Sequence, residues 1–186
     1  DNELNILHDA EMTMVIYNTF KKLGFDDFTI RINNRKILNG FFASLNLADP
    51  AEVLRTIDKL DKIGIDEVKN CLSDINVSND SINKIVEFIS ITGSSNEKLD
   101  NLKNLNIENE LFTKGIEELE AVISGIRLFG IPESNFTVDL TIARGLDYYT
   151  GTVYETFLND YRQLGSVCSG GRYDNLAEFY TDKKLP

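Results

Sequence analysis

The spacing of apolar residues changes period twice along this chain, and no other feature constrains its fold as strongly. "DFTIRIN" (residues 27–33) sets Phe28, Ile30 and Ile32 against Thr29, Arg31 and Asn33. Alternation at period two predicts a strand with one buried face. "NFTVDLTIA" (135–143) repeats the pattern with Phe136, Val138, Leu140 and Ile142, and "GTVYETF" and "GSVCS" read as further short strands. About eighty residues between these strand regions show only the three-and-four spacing of helices. Strands that flank a helical block predict an α+β fold: a sheet core with flanking helices, interrupted by an all-helical insertion.

Local signals place the elements. Met12, Val15, Ile16, Thr19, Phe20 and Leu23 form a helical stripe from Asp9 to Leu23, with Asp9 and Glu11 in the first turn and Gly24 placed to stop it. Asn34 is available to cap a second helix carrying Ile37, Leu38, Phe41, Phe42 and Leu45. In "DPAEVLRTIDKLDKIG", Asp49 is a candidate N-cap, Pro50 a first helical residue, and Val53, Leu54, Ile57, Leu60 and Ile63 one apolar face. The helical period continues through "IDEVKNCL", "SINKIVEFISITG" and a long run from Asn109 to about Phe129. Glu117, Glu118 and Glu120 on that run read as a solvated face. "RYDNLAEFY" reads as the start of a last helix.

Charge divides the chain in the same places. Residues 1–44 hold six acids against five bases, 45–125 sixteen against eight, and 126–186 eight against six, so the net −11 belongs mostly to the middle. The expected organisation is a core segment at 1–44, a helical insertion at 45–125 and a second core segment at 126–186. An acidic chain is poorly suited to broad contact with a phosphate backbone, so nucleic-acid contact would need a local basic face; Lys59, Lys62 and Lys69 are candidates. No apolar run reaches membrane-helix length and residues 1–20 lack a signal-peptide pattern, which predicts a soluble cytoplasmic protein without membrane contact. Cys71 and Cys168 lie 97 positions apart with one histidine in the chain, so neither a zinc site nor a disulfide framework is expected.

"ARGLDYYTGTVYETF" (143–157) concentrates Arg144, Asp147, Tyr148 and Tyr149 in a turn before a strand. Gly145 and Gly151 would satisfy the turn; the extra polar groups point to a ligand. Bland readings stand beside this one. Tyr148 is a ligand neighbour or a core residue, Asp147 a turn-fixing side chain, and His8 a surface residue. Glu155 either faces water at an edge or is a buried carboxylate paired with Arg144 or Arg172. Arg172 is as well suited to a structural ion pair as to a substrate. Arg31 and Arg35 read as structural.

"ARGLDYYTGTVYE" followed by "GSVCSGGRYDNL" (165–176) resembles the two histidine-binding signature motifs of histidyl-tRNA synthetases, in the same order. "RINNRKILNGFF" and "IDKLDKIGIDEVKN" resemble the eukaryote-like branch of that family. The resemblance implies a class II synthetase core built on an antiparallel sheet, with an insertion that approaches the acceptor stem of tRNA. It implies activation of histidine with ATP to histidyl-adenylate, ATP arriving with Mg2+ and no metal held by the protein, then transfer to tRNA(His). It makes Arg144 the catalytic residue that holds carboxylate and α-phosphate. Tyr149 and Tyr173 line the imidazole, Tyr148 is their neighbour, and Gly170 and Gly171 let the backbone pass close to the ligand.

The family's dimer-forming motif, its ATP-gripping motifs and its anticodon-binding domain are not found in these residues. The chain therefore reads as an internal portion of a homodimeric synthetase, expected to be inactive alone. Two other classes fit parts of the sequence. One is the non-catalytic synthetase-like regulatory subunit of ATP phosphoribosyltransferase, which is expected to lack the helical insertion; the other is an acidic helical interaction module, against which the RGLDYY turn argues.

Overall fold

Asn34 ends one element and begins the next. It is the last residue of β1 (Phe28–Asn34), and from its extended backbone the side chain accepts a hydrogen bond from Lys36 N at the start of α2 (Arg35–Ser44). The computed structural model describes residues 5–142, 148–174, 176 and 180. Before β1 lies α1 (Leu7–Lys22), ending near Gly24, whose φ of 87° suits a residue without Cβ. After α2 come α3 (Pro50–Ile57), α4 (Leu60–Asp74), α5 (Asn79–Ile89), α6 (Ser95–Asn104) and α7 (Glu110–Leu128). Asp49 caps α3 through Glu52 N, and Asn109 caps α7 through Phe112 N, as short polar side chains at these positions should. The apolar stripe from Val53 to Ile63 does not belong to one helix: α3 stops at Ile57, and Gly64 interrupts α4 at φ 77°.

The sheet has the order β2-β1-β3-β4, where β2 is Phe136–Val138, β3 Thr152–Leu158 and β4 Cys168–Gly171. It is mixed rather than antiparallel throughout. β3 pairs antiparallel with β1 and β4, but β2 runs parallel to β1. A parallel neighbour needs a long crossover, and the whole helical stretch between β1 and β2 supplies it. β2 is also shorter than the alternation over 135–143 suggests. Asp139 Oδ1 accepts from Thr141 N at 3.0 Å and from Thr141 Oγ1 at 2.6 Å, a local turn that takes the backbone off the ladder. Burial still alternates through Leu140 and Ile142, so the pattern reported the buried face and not the hydrogen bonding.

The two sheet faces differ in chemistry. Phe28, Ile30, Ile32, Phe136, Val138 and Tyr154 are buried beneath the helices, with the Phe28 ring 5.8 Å from Tyr17 and 5.2 Å from Phe20 of α1. Full burial of each large apolar side chain is worth about 1.5–3 kcal/mol. The opposite face carries Thr29, Arg31, Thr137, Glu155 and Phe157. The position-125 boundary falls within α7, and α7 packs against α1, α2 and β1. On α7, Gly115 lies where a Cβ would come 2.6 Å from Ile37 N, so the α2–α7 crossing is as close as backbones allow.

Candidate functional site

The two polar segments singled out in the sequence meet at the start of β3. Thr150 N donates to Arg172 O at 2.8 Å, Arg172 N donates to Thr152 O at 2.8 Å, and Asp174 N donates to Thr150 Oγ1 at 2.9 Å. These bonds stitch the tyrosine turn to the residues beyond β4. Tyr148 consequently touches both Tyr149, at 4.3 Å edge-on between ring centroids, and Tyr173, at 5.6 Å. Burial, together with the Tyr148 hydroxyl, pushes the Tyr149 phenol above its ordinary value. Tyr148 is 44% exposed, so it is not a core residue. Three adjoining phenols give flat apolar walls with hydroxyls that can donate or accept, a suitable lining for a small polar ring. Arg144 and Asp147 lie outside the described residues.

The two glycines of "SGGRYD" behave differently. A Cβ on Gly171 would stand 2.8 Å from Tyr149 Cδ1 and 2.9 Å from Thr152 O, so its bareness admits the Tyr149 ring. At Gly170 a Cβ would meet nothing within 4 Å. Gly151 faces Arg172, whose Nε would lie 2.3 Å from a Cβ there.

Arg172 is the centre of a buried charge network. Its side chain is 8% exposed, and it donates to Asp9 Oδ2 of α1 at 3.0 Å and to Glu118 Oε2 of α7 at 2.9 Å. Nε lies 3.1 Å from Asp174 Oδ1. Glu118 also receives Asn34 Nδ2 at 3.0 Å and the Lys36 ammonium. Burial pushes the Glu118 carboxyl up, but the hydrogen bonds from Lys36 and Asn34 and the Arg172 charge outweigh it and hold it below its ordinary value. Asp9 goes the other way: burial raises it, and the Thr152 hydrogen bond and Arg172 only partly oppose that. Tyr154 completes the cluster, its hydroxyl donating to Asp9 O at 2.5 Å.

One reading from sequence is corrected here. Glu118 is not on a solvated face, although Glu117 and Glu120 are; Asp9 is a first-turn acid as expected, and it is also buried, at 6% exposed. Glu155 is buried, one of its two expected settings; Arg31 stands opposite it on the ladder, and Arg144 lies outside the described residues. Asp9 and Glu118 gave one weak signal: each is an acid beside apolar positions of an amphipathic helix. Their partner, 163 and 54 positions away, was not visible. His8 is exposed near Glu11, as expected of a surface residue.

The described residues form a helical cover over a four-stranded sheet, with polar signature segments at the strand ends, which is the architecture of a synthetase-type core, and the comparisons agree. The solved histidyl-tRNA synthetase from Nostoc sp. PCC 7120 superposes with a TM-score of 0.94 at 45% identity over 98% of this chain and 44% of that one. The histidine–tRNA ligase of Clostridium tetani is 57% identical over the full chain, which spans 42% of that relative, and the ligase of Finegoldia magna is 48% identical over the same 186 residues. A Bacillus halodurans C structure described as an ATP phosphoribosyltransferase regulatory subunit/histidyl-tRNA synthetase shares the fold, with a TM-score of 0.78 at 22% identity. The histidyl-tRNA synthetase family model matches residues 2–185. The chain belongs to the histidyl-tRNA synthetase family.

Proposed function

We propose that the protein carrying this chain is a histidine–tRNA ligase. The observation that supports this best is the stitching of residues 148–155 to residues 168–174, which gathers Tyr148, Tyr149 and Tyr173 at one strand end. In this reading a histidine carboxylate oxygen attacks the α-phosphorus of ATP and pyrophosphate leaves. The tRNA(His) terminal ribose hydroxyl then attacks the acyl carbon and AMP leaves. Arg144 holds the carboxylate and the charged phosphate oxygens, since a guanidinium stays protonated and presents a planar fork of donors. Tyr149 and Tyr173 face the imidazole, Tyr148 supports them, and Gly170 and Gly171 form the strand edge along the pocket. A ring lacking matching polar atoms would leave those hydroxyls unpaired, which is the physical basis of selection.

ATP enters with Mg2+, the protein holds no metal of its own, the assembly is a cytoplasmic homodimer, and residues 45–125 form an insertion toward the acceptor stem. Among the described residues no helix is long and apolar enough to cross a membrane. The relatives compared above are bacterial and lend no support to a eukaryote-like branch. The test is histidine-dependent pyrophosphate exchange and aminoacylation of tRNA(His), with the protein at the length of its relatives. Histidine binding without exchange would favour the regulatory-subunit reading instead.

A further inference from the structure

In a chain with thirty acids and nineteen bases, cations are expected to find carboxylates nearby. One cavity departs from this. It has a volume of about 280 Å3 on the polar sheet face, and among the described residues Arg31, Lys98 and Arg162 line it against one carboxylate, Asp139. Thr29, Thr137 and Asn159 add neutral hydrogen-bonding groups.

Each cation is placed by a different element. Lys98 comes from α6, which is docked on β2 by a hydrogen bond from Val138 N to Ser95 Oγ at 3.3 Å and begins with a Ser94–Glu97 capping box. Its ammonium donates to Val138 O at 2.6 Å and makes no ion pair among the described residues. Burial pushes the Lys98 ammonium below its ordinary value, with Asp139 opposing this and Arg31 adding to it. Arg31 is held by Asp139 at 2.9 Å and lies 4.3 Å over the Phe157 ring. Arg162 is exposed on the short turn Asn159–Leu164, and its side chain has no hydrogen bond or ion pair among the described residues. It also lines a neighbouring cavity of about 270 Å3 that reaches Lys62 of α4.

Such a site suits an oxyanion. A phosphate would return to Lys98 the counter-charge its burial removed and would give Arg162 a bidentate partner. Phe157 lies five residues beyond Thr152 on β3, so at roughly 3.3 Å per residue the cavity is about 17 Å from the tyrosine cluster. That separation places it outside the histidine pocket. It favours a long polyanion that crosses from the helical segment to the reacting end.

We propose that Lys98 and Arg162, with Arg31 behind them, bind a backbone phosphate of the RNA substrate where α6 meets the sheet. This rests on the ligase reading. Lys98 thereby replaces Lys69 as the contact from the middle segment, since Lys69 is half-exposed and already 3.3 Å from Asp66.

Lys98→Gln and Arg162→Ala, made in the protein at the length of its relatives, test the site with a tRNA(His) transcript titrated at several salt concentrations. Each should weaken tRNA binding by roughly tenfold and reduce the slope of log affinity against log salt by about one. Pyrophosphate exchange, with its KM values for histidine and ATP, should stay within about twofold. Arg162 is exposed, so its variant separates binding from folding. Unchanged tRNA affinity and slope in both variants would overturn the site. A raised KM for ATP with unchanged tRNA affinity would assign the cavity to the nucleotide and overturn the RNA assignment. A wild-type protein inactive in both assays would sink the ligase reading, and this assignment with it.

Discussion

Glu118 and Arg172, 54 positions apart, are joined by a 2.9 Å hydrogen bond with side chains 11% and 8% exposed. The pair ties α7 to the residues just past β4, and through them to Tyr173. Breaking a buried ion pair from one side costs about 3–5 kcal/mol when the charge left behind has no other partner; without Glu118, Arg172 keeps Asp9 and Asp174, while Lys36 and Asn34 lose their acceptor. Glu118→Ala should therefore lower stability by about 2–3 kcal/mol in urea unfolding. Loss below about 1 kcal/mol would mean that water screens the network.

Acid should act on the same pair in a defined direction. The folded Glu118 carboxyl lies below its ordinary value of 4.5, so its contribution is present above that value and is lost as pH falls through the folded one. Asp9 is raised above 3.8 and has the opposite sign: its protonation favours the fold, a contribution lost as pH rises through its folded value. Stability measured between about pH 6 and pH 3 should fall less steeply in Glu118→Gln than in wild type, and more steeply in Asp9→Asn. Parallel curves for all three would contradict the assignments.

The glycines near the tyrosines should separate by what a methyl group would meet. Gly151→Ala presses on the Arg172 guanidinium and Gly171→Ala on Tyr149 and a backbone oxygen, and each should cost about 1–3 kcal/mol. Gly170→Ala meets nothing within 4 Å and should change stability by less than about 1 kcal/mol. If Gly170 borders the histidine pocket, its variant should raise the KM for histidine while remaining fully folded.

Arg144 carries the most specific chemical expectation. If its guanidinium stabilises charge on the α-phosphate, Arg144→Ala should slow adenylate formation by roughly two to four powers of ten, with a smaller change in histidine affinity. Rapid-quench measurement of adenylate on the protein at the length of its relatives decides this. Near wild-type activation would remove Arg144 from its role.

What the sequence by itself determined was everything encoded over a few residues. The caps at Asn34 and Asp49, the strand faces of Phe28–Ile32 and Phe136–Val138, the helical middle and the polar turn before β3 all depend on side chains within one turn or one pleat of each other. The signature segments carried the family for the same reason, as contiguous strings. Tertiary structure alone decided that β2 runs parallel to β1, that Asp9 is buried and Glu118 largely so, and that Gly151 and Gly171 make room for protein groups. Each of these depends on a partner beyond the reach of local spacing. A carboxylate on an amphipathic helix looks the same facing water or facing Arg172, because its own neighbours do not change; only the packing of α1 and α7 against the β3–β4 end supplies the opposite charge that makes its burial possible.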